Sequence, residues 1–150
     1  MKRTTVSVAV ATAILLLGSR VPTGAQAAAA GRLLVLSKGA LTLSVIDPAT
    51  LRVVGKAPSG PDPHEVAATA DGRTAYISNY GAGRGGYNTL TVVDLVNLTA
   101  KPAIDLGPLR GPHGMFEAGG KIYFTAEVAK SIGRVDPATT TRTHASDRAR

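Results

Sequence analysis

From residue 31 onward no convincing stretch of the chain carries apolar residues at helical spacing. Short apolar or alternating runs of four to seven residues recur instead, separated by Gly, Pro, Asp and Asn. Alternation with a period of two buries one face of a strand, and Gly, Pro, Asp and Asn break strands into turns. Nine runs fit this pattern: 32–38, 41–47, 51–57, 64–70, 73–79, 89–95, 101–106, 121–127 and 131–136. Asp71-Gly72 between two of them predicts a hairpin turn, because both residues tolerate the positive φ it needs, and Gly119-Gly120 holds the same place later. Many short strands at regular spacing predict an all-β sandwich, barrel or propeller.

An internal repeat decides among these. Pro63-His64-Glu65-Val66, Asp71-Gly72, "TAYISN" and "TLTVVD", ending at Asp94, make one unit. Pro112-His113-Gly114-Met115, Gly119-Gly120, "KIYFTAE" and "SIGRVD", ending at Asp136, make the next. The earlier "RLLVLSK…LTLSVIDPAT" enters the same unit at its second strand, with Asp47 in the place of Asp94 and Asp136. The Pro-His pairs lie 49 residues apart and the aspartates 47 and 42 apart. That spacing fits four strands per unit, the size of one propeller blade. Recurrence of the aspartate in every unit, twice within Asp-Pro-Ala-Thr, predicts a carboxylate that caps the turn after the third strand.

The stretch "PHEVAATADGRTAYISN…NTLTVVD", residues 63–94, resembles the repeat of the YVTN-type β-propeller family, related in look to lactonase-like and NHL-type propellers, and the likeness extends over about 31–140. The third unit departs from the pattern at Gly119-Gly120 and at Thr125-Ala126-Glu127. The resemblance implies an open partial propeller of about two to three antiparallel four-stranded blades, with units at about 31–60, 61–110 and 111–140. It also implies that the strands opening at His64 and His113 are innermost, with both side chains near one mouth of the central channel. Fewer than three full units fall short of the four to eight blades of a closed propeller. Together with the polar "TTTRTHASDRAR" after Ala138, this predicts a fragment of a longer protein. Residues 141–150 are then a disordered or aberrant tail, and free strand edges are open to self-association.

The first 27 residues change the picture. A basic Met1-Lys2-Arg3 start, the apolar run 6–18 and Ala25-Gln26-Ala27 describe a signal peptide, cleaved before Ala28. The run is too short to span a bilayer, which takes about 20 apolar residues. The mature 28–140 domain is therefore expected in the periplasm or secreted, with no membrane association after cleavage. The formal net charge of +7 falls once Lys2, Arg3 and Arg20 leave. What remains is scattered and lacks the clustered cations with stacking aromatics of a nucleic-acid surface. No cysteine is present, which excludes thiol catalysis, zinc–thiolate sites and disulfides.

Candidate chemistry is sparse. Gly81-x-Gly83-x-x-Gly86, with Asp105 about twenty positions on, has the lettering of a dinucleotide loop. Such a loop must open a helix whose N–H groups hold the pyrophosphate. Tyr87-Asn88-Thr89-Leu90-Thr91-Val92 is β-branched and alternating, so the glycines predict an enlarged inter-strand loop, in which Arg84 is able to meet an anion. His64 and His113, with Glu65 nearby, are the candidate ligand-binding residues and the two imidazoles the candidate metal ligands. No nucleophile elbow, P-loop or paired carboxylate occurs. The sequence thus predicts a binding module for a protein, a surface or a small ligand at the channel mouth, without a cofactor and more a binder than an enzyme. The alternative is a lactonase-like or metal-assisted periplasmic hydrolase using the two histidines.

Overall fold

A computed structural model describes residues 31–81, 83–139 and 142–146. The expected signal-peptide helix and cleavage site lie outside these residues. Eleven strands and no helix occur among the described residues, in three antiparallel sheets. The first holds β1 (Leu33–Ser37), β2 (Thr42–Asp47) and β3 (Arg52–Pro58). The middle sheet is β4 (Pro63–Ala68), β5 (Thr74–Asn79), β6 (Thr89–Asp94) and β7 (Thr99–Asp105). The third is β8 (Pro112–Ala118), β9 (Lys121–Ala126), β10 (Ser131–Val135) and β11 (Arg142–Ser146). Each sheet keeps its strands in chain order, as successive hairpins do, and the three stack as propeller blades. Among the described residues the first has no counterpart of the strand that β4 and β8 supply in the other two.

One expectation needs correction. Residues 142–146, read from sequence as a structureless tail, form β11 and pair in register with β10, from Ser131 opposite Ser146 to Val135 opposite Arg142. An outermost strand needs little more than its backbone ladder and a turn that aims it. That turn is set by the Asp136 carboxylate, which accepts the Ala138 N–H at 3.0 Å. The third unit is thus a complete four-stranded sheet.

The recurring aspartates do cap turns. Asp47 accepts from the N–H groups of Ala49 and Thr50, and Asp94 from those of Val96 and Asn97. Cations on or just before neighbouring strands add to this, Arg32 at Asp47, Lys101 at Asp94 and Lys121 at Asp136.

Between sheets the core is apolar, in two clusters. Leu43 and Ala57 of the first sheet meet Ala75, Ile77 and Val93 of the middle one. On its other face the middle sheet presents Tyr76, Leu90, Val92 and Ile104 to Ile122, Phe124 and Val135 of the third. Close packing of the second joint depends on Gly133, since a methyl group there would lie 2.1 Å from Phe124 Cζ. Beside Gly60 at the first joint lies a polar knot. Buried Asn79 donates to Thr89 at 2.8 Å and to Thr91 at 3.1 Å, and Thr91 Oγ1 donates back to Asn79 Oδ1.

Candidate functional site

β4 and β8 are the innermost strands of their sheets, and both begin with an irregularity. The register of β4 on β5 shifts between Pro63 and Val66, and that of β8 on β9 shifts between Pro112 and Met115. A bulge of this kind bends a strand and re-aims its side chains. Both bulges are held by a hydroxyl on the second strand. Glu65 N–H donates to Ser78 Oγ at 2.9 Å, and Gly114 N–H donates to Thr125 Oγ1 at 3.0 Å. Equivalent bulges turn His64 and His113 the same way, and their ring centroids lie 4.2 Å apart with planes tilted by 40°.

Tyr80, just beyond β5, completes the cluster. Its ring stands edge-on to His64 and to His113, at 4.9 Å from each. Its hydroxyl donates to Glu127 Oε2 at 2.7 Å, across to the third sheet. That hydrogen bond, with lesser help from burial and from the charges of Glu127 and Asp62, raises the phenol above its ordinary range. Tyr80 and Glu127 occupy the same repeat position, as does Lys38 of the first unit, which pairs with Asp62 at 2.8 Å. Corner residues of successive sheets therefore link sideways, sheet to sheet.

Two polar features remain open. His64 Nδ1 is buried without a hydrogen-bond partner. Glu65 Oε1 stands 3.8 Å from it, beyond hydrogen-bond range, and the Glu65 side chain is largely exposed. His64, His113 and Glu65 are thus brought together as candidates. Arg84 is not: it is exposed on the glycine loop, its Nη1 donating to Tyr87 Oη at 3.3 Å. No group of three or more His, Asp or Glu side chains placed to hold a metal occurs among the described residues.

The glycine loop opens no helix. Gly81, Gly83, Gly85 and Gly86 all have positive φ, and β6 follows at Thr89. The loop is a spacer wedged against the third sheet. Arg110 donates from Nε to Gly85 O at 2.8 Å and from Nη2 to Gly86 O, while Gly111 N–H donates to Tyr87 O at 2.7 Å. A methyl group on Gly86 would lie 2.7 Å from the Gly111 nitrogen, so glycine is required there by space as well as by φ. Asp62 anchors the other end, accepting the Gly81 N–H at 2.8 Å. Asp105, at the ribose position of the dinucleotide lettering, accepts from Asn88 and from the Gly107 N–H.

Sequence reasoning missed Tyr80, Glu127 and Arg110. The first two occupy one repeat position but differ in type, so the repeat comparison showed only a departure. The Ser78/Thr125 equivalence was the readable signal, since two hydroxyls at one position imply a shared hydrogen bond.

No protein-family model matches the chain, and no curated protein matches it significantly. Solved structures do. Hydrazine synthase of Kuenenia stuttgartiensis superposes with a TM-score of 0.64 at 20% identity, over 75% of this chain and 31% of that one. Virginiamycin B lyase from Staphylococcus aureus gives 0.64 at 18%, over 81% and 39%. The WD40 repeats of RRP9 give 0.63 at 12%, over 79% and 36%. The chain spans about a third of the length of these structures. At such identities the likeness shows the fold: the chain is a β-propeller module.

Proposed function

We propose that this chain is an exported propeller module of the YVTN type that binds a small planar ligand over the His64, Tyr80 and His113 rings. The observation that carries the reading is the His64 Nδ1 atom, buried without a partner amid three clustered rings. An unpaired buried polar atom costs about 1–3 kcal/mol, so a ligand hydrogen-bonding there recovers part of that cost. Glu65 and Glu127 at the rim, with aromatic faces between them, favour a cationic ligand. The YVTN assignment rests on the repeat over residues 63–94, and the exported state on the pattern of residues 1–27.

The hydrolase reading ranks second. A general base is normally oriented by a partner within hydrogen-bond reach, and Glu65 lies too far from His64 to serve. Side-chain 15N spectra of the histidines, titrated with benzamidinium and separately with Zn(II), test both readings. Benzamidinium is expected to shift His64 and His113, with at least about tenfold weaker binding in His113→Ala, as losing one wall of a small site implies. Absence of any benzamidinium shift would sink the binding reading. Hydrolysis of a chromogenic lactone that vanishes in His64→Ala would replace it with the enzyme. Mass spectrometry of the exported protein is expected to find Ala28 at the N-terminus, and an intact Met1 would remove export by cleavage.

A further inference from the structure

We infer that the cleft between the middle and third sheets, beside the Asp136 turn, is a second ligand site. It takes a neutral amide, whose branched aliphatic group fills the floor and whose carbonyl oxygen accepts from the Tyr76 hydroxyl.

The repeat builds this cleft twice, once at each joint. Strand register makes Leu34 opposite Val45 in the first sheet equivalent to Tyr76 opposite Val92 in the middle one. Gly55 of β3, opposite Val45, likewise corresponds to Lys101 of β7, opposite Val92. The far wall is in each case the capped turn of the next sheet, Leu95-Val96 after Asp94 and Pro137-Ala138 after Asp136. At the first joint Leu98 lies over Gly55, so close that a methyl group on Gly55 would sit 2.5 Å from Leu98 Cδ1, and the cleft measures about 210 Å³. In the third unit the stretch after Asp136, Pro137-Ala138-Thr139-Thr140-Thr141, carries no leucine, isoleucine, valine or methionine. The second cleft measures about 610 Å³. That lies within the range of small-ligand sites, about 300–1,000 Å³. Leu98 shows the kind of group this geometry takes, a branched aliphatic side chain.

The second cleft also holds a polar atom that the first does not. Tyr76 lines it and is 5% exposed, yet among the described residues its hydroxyl has no hydrogen-bond partner. A buried phenol ordinarily finds one. Burial first, then the charges of Asp136 and Asp71, raise this phenol above its ordinary range, so it keeps its proton and donates. The charged side chains of the lining are already engaged. Asp71 accepts from Thr69 Oγ1 at 2.6 Å and from the Arg73 N–H at 3.0 Å, and Lys101 pairs with Asp94 at 3.4 Å. A neutral acceptor therefore suits the cleft better than an ion. Pro102 and Pro137 in the walls have no N–H to offer, so recognition there is by apolar contact.

The cleft lies at the opposite end of β5 from the ring cluster, since Thr74 begins that strand and Tyr80 follows its end. Its binding does not depend on what the rings bind.

Ring 13C spectra of tyrosine-labelled protein, with Tyr76 assigned by its loss in Tyr76→Phe, provide the test. N-acetyl-leucine N-methylamide is expected to shift the Tyr76 signals saturably and to leave those of Tyr80 in place. N-acetyl-glycine N-methylamide, without the isobutyl group, is expected to bind at least about tenfold more weakly. Tyr76→Phe, followed through the Val92 and Ile104 amides, is expected to bind the leucine amide about fivefold more weakly with an unchanged urea midpoint, since the hydroxyl has no partner to lose. Ala138→Trp, at an exposed position of the wall, is expected to keep the fold and abolish the shift. A capped pentapeptide with a central leucine between glycines separates the two sources of this chemistry. Tighter binding than the amide assigns the site to a segment of a partner protein, and equal binding assigns it to a small amide. No shift at Tyr76, a shift that survives Ala138→Trp, equal affinity in Tyr76→Phe, or tighter binding of the N-acetyl-leucine anion would overturn the assignment.

Discussion

The middle and third sheets are built from the same unit, yet their second strands are buried in different ways. In β5 five consecutive residues, Ala75 to Asn79, are buried. In β9 burial alternates: Ile122, Phe124 and Ala126 are inside while Tyr123 and Thr125 are not. The difference lies in the neighbours. Among the described residues the middle sheet is covered on both faces and the third on one, so the same repeat reads as a continuous core strand in one place and as a half-buried strand in the other. In a stack of this kind stability is approximately the sum of sheet and joint contributions, so the joints decide what each residue is worth.

Tyr76 and Tyr123 make the sharpest test, since they hold one repeat position and are 5% and 37% exposed. Tyr76→Ala is expected to cost about 3–5 kcal/mol, the range for emptying a buried aromatic site. Tyr123→Ala is expected to cost under about 1 kcal/mol, because solvent already reaches the ring. Urea denaturation of both variants at low protein concentration measures the gap. Equal costs would break the comparison.

A smaller effect is expected at the first joint. Asn79 holds the position that Ala126 holds in the third sheet, so the unit folds with or without an amide there. Asn79→Ala is expected to cost about 1–3 kcal/mol, because Thr91 is buried and loses its partner. The double variant Asn79→Ala with Thr91→Val should recover part of that loss in the same urea measurement. A double variant that is worse than the sum of its parts would show that Asn79 acts by packing rather than by hydrogen bonding.

Much of this architecture was legible in the sequence. Alternation and turn residues placed nine of the eleven strands, the repeated Pro-His pair placed β8 as a tenth, and the β-branched residues after Gly86 showed that no helix follows the glycines. β11 was missed because "RTHAS" has no apolar alternation, and an outermost strand is held by backbone pairing that side chains do not announce. In the ring cluster the two histidines were legible through their repetition. Tyr80 and Glu127 were not, because their hydrogen bond joins unlike residues of neighbouring sheets, and that proximity is a property of the stack. The clamp of Arg110 on Gly85 and Gly86 escaped notice for the same reason.

The smallest expected effect concerns acid, and it compares the turn caps of the two sheets. The Asp94 carboxyl is held down to about 2, chiefly by the hydrogen bond from the Asn97 N–H, with the Val96 N–H, the Asn97 side chain and Lys101 adding to it against the opposing effect of burial. Asp136 is lowered as well, first by Lys121 and then by the Ala138 N–H. A carboxyl whose folded value lies below its unfolded value of about 3.9 stabilises the fold above that value. The contribution is lost as the pH falls through the folded value, so for Asp94 the window runs from about pH 4 down to about pH 2. Asp94→Asn is expected to lower the urea midpoint at neutral pH and to flatten its decline across that window. Asp136→Asn should do the same through a different cause, so raising the salt concentration should weaken the Asp136 effect, which depends on Lys121, more than the Asp94 effect, which depends on backbone N–H groups. A salt response of equal size at both caps would mean that backbone capping, and not the ion pair, sets the turn in the third sheet as it does in the middle one.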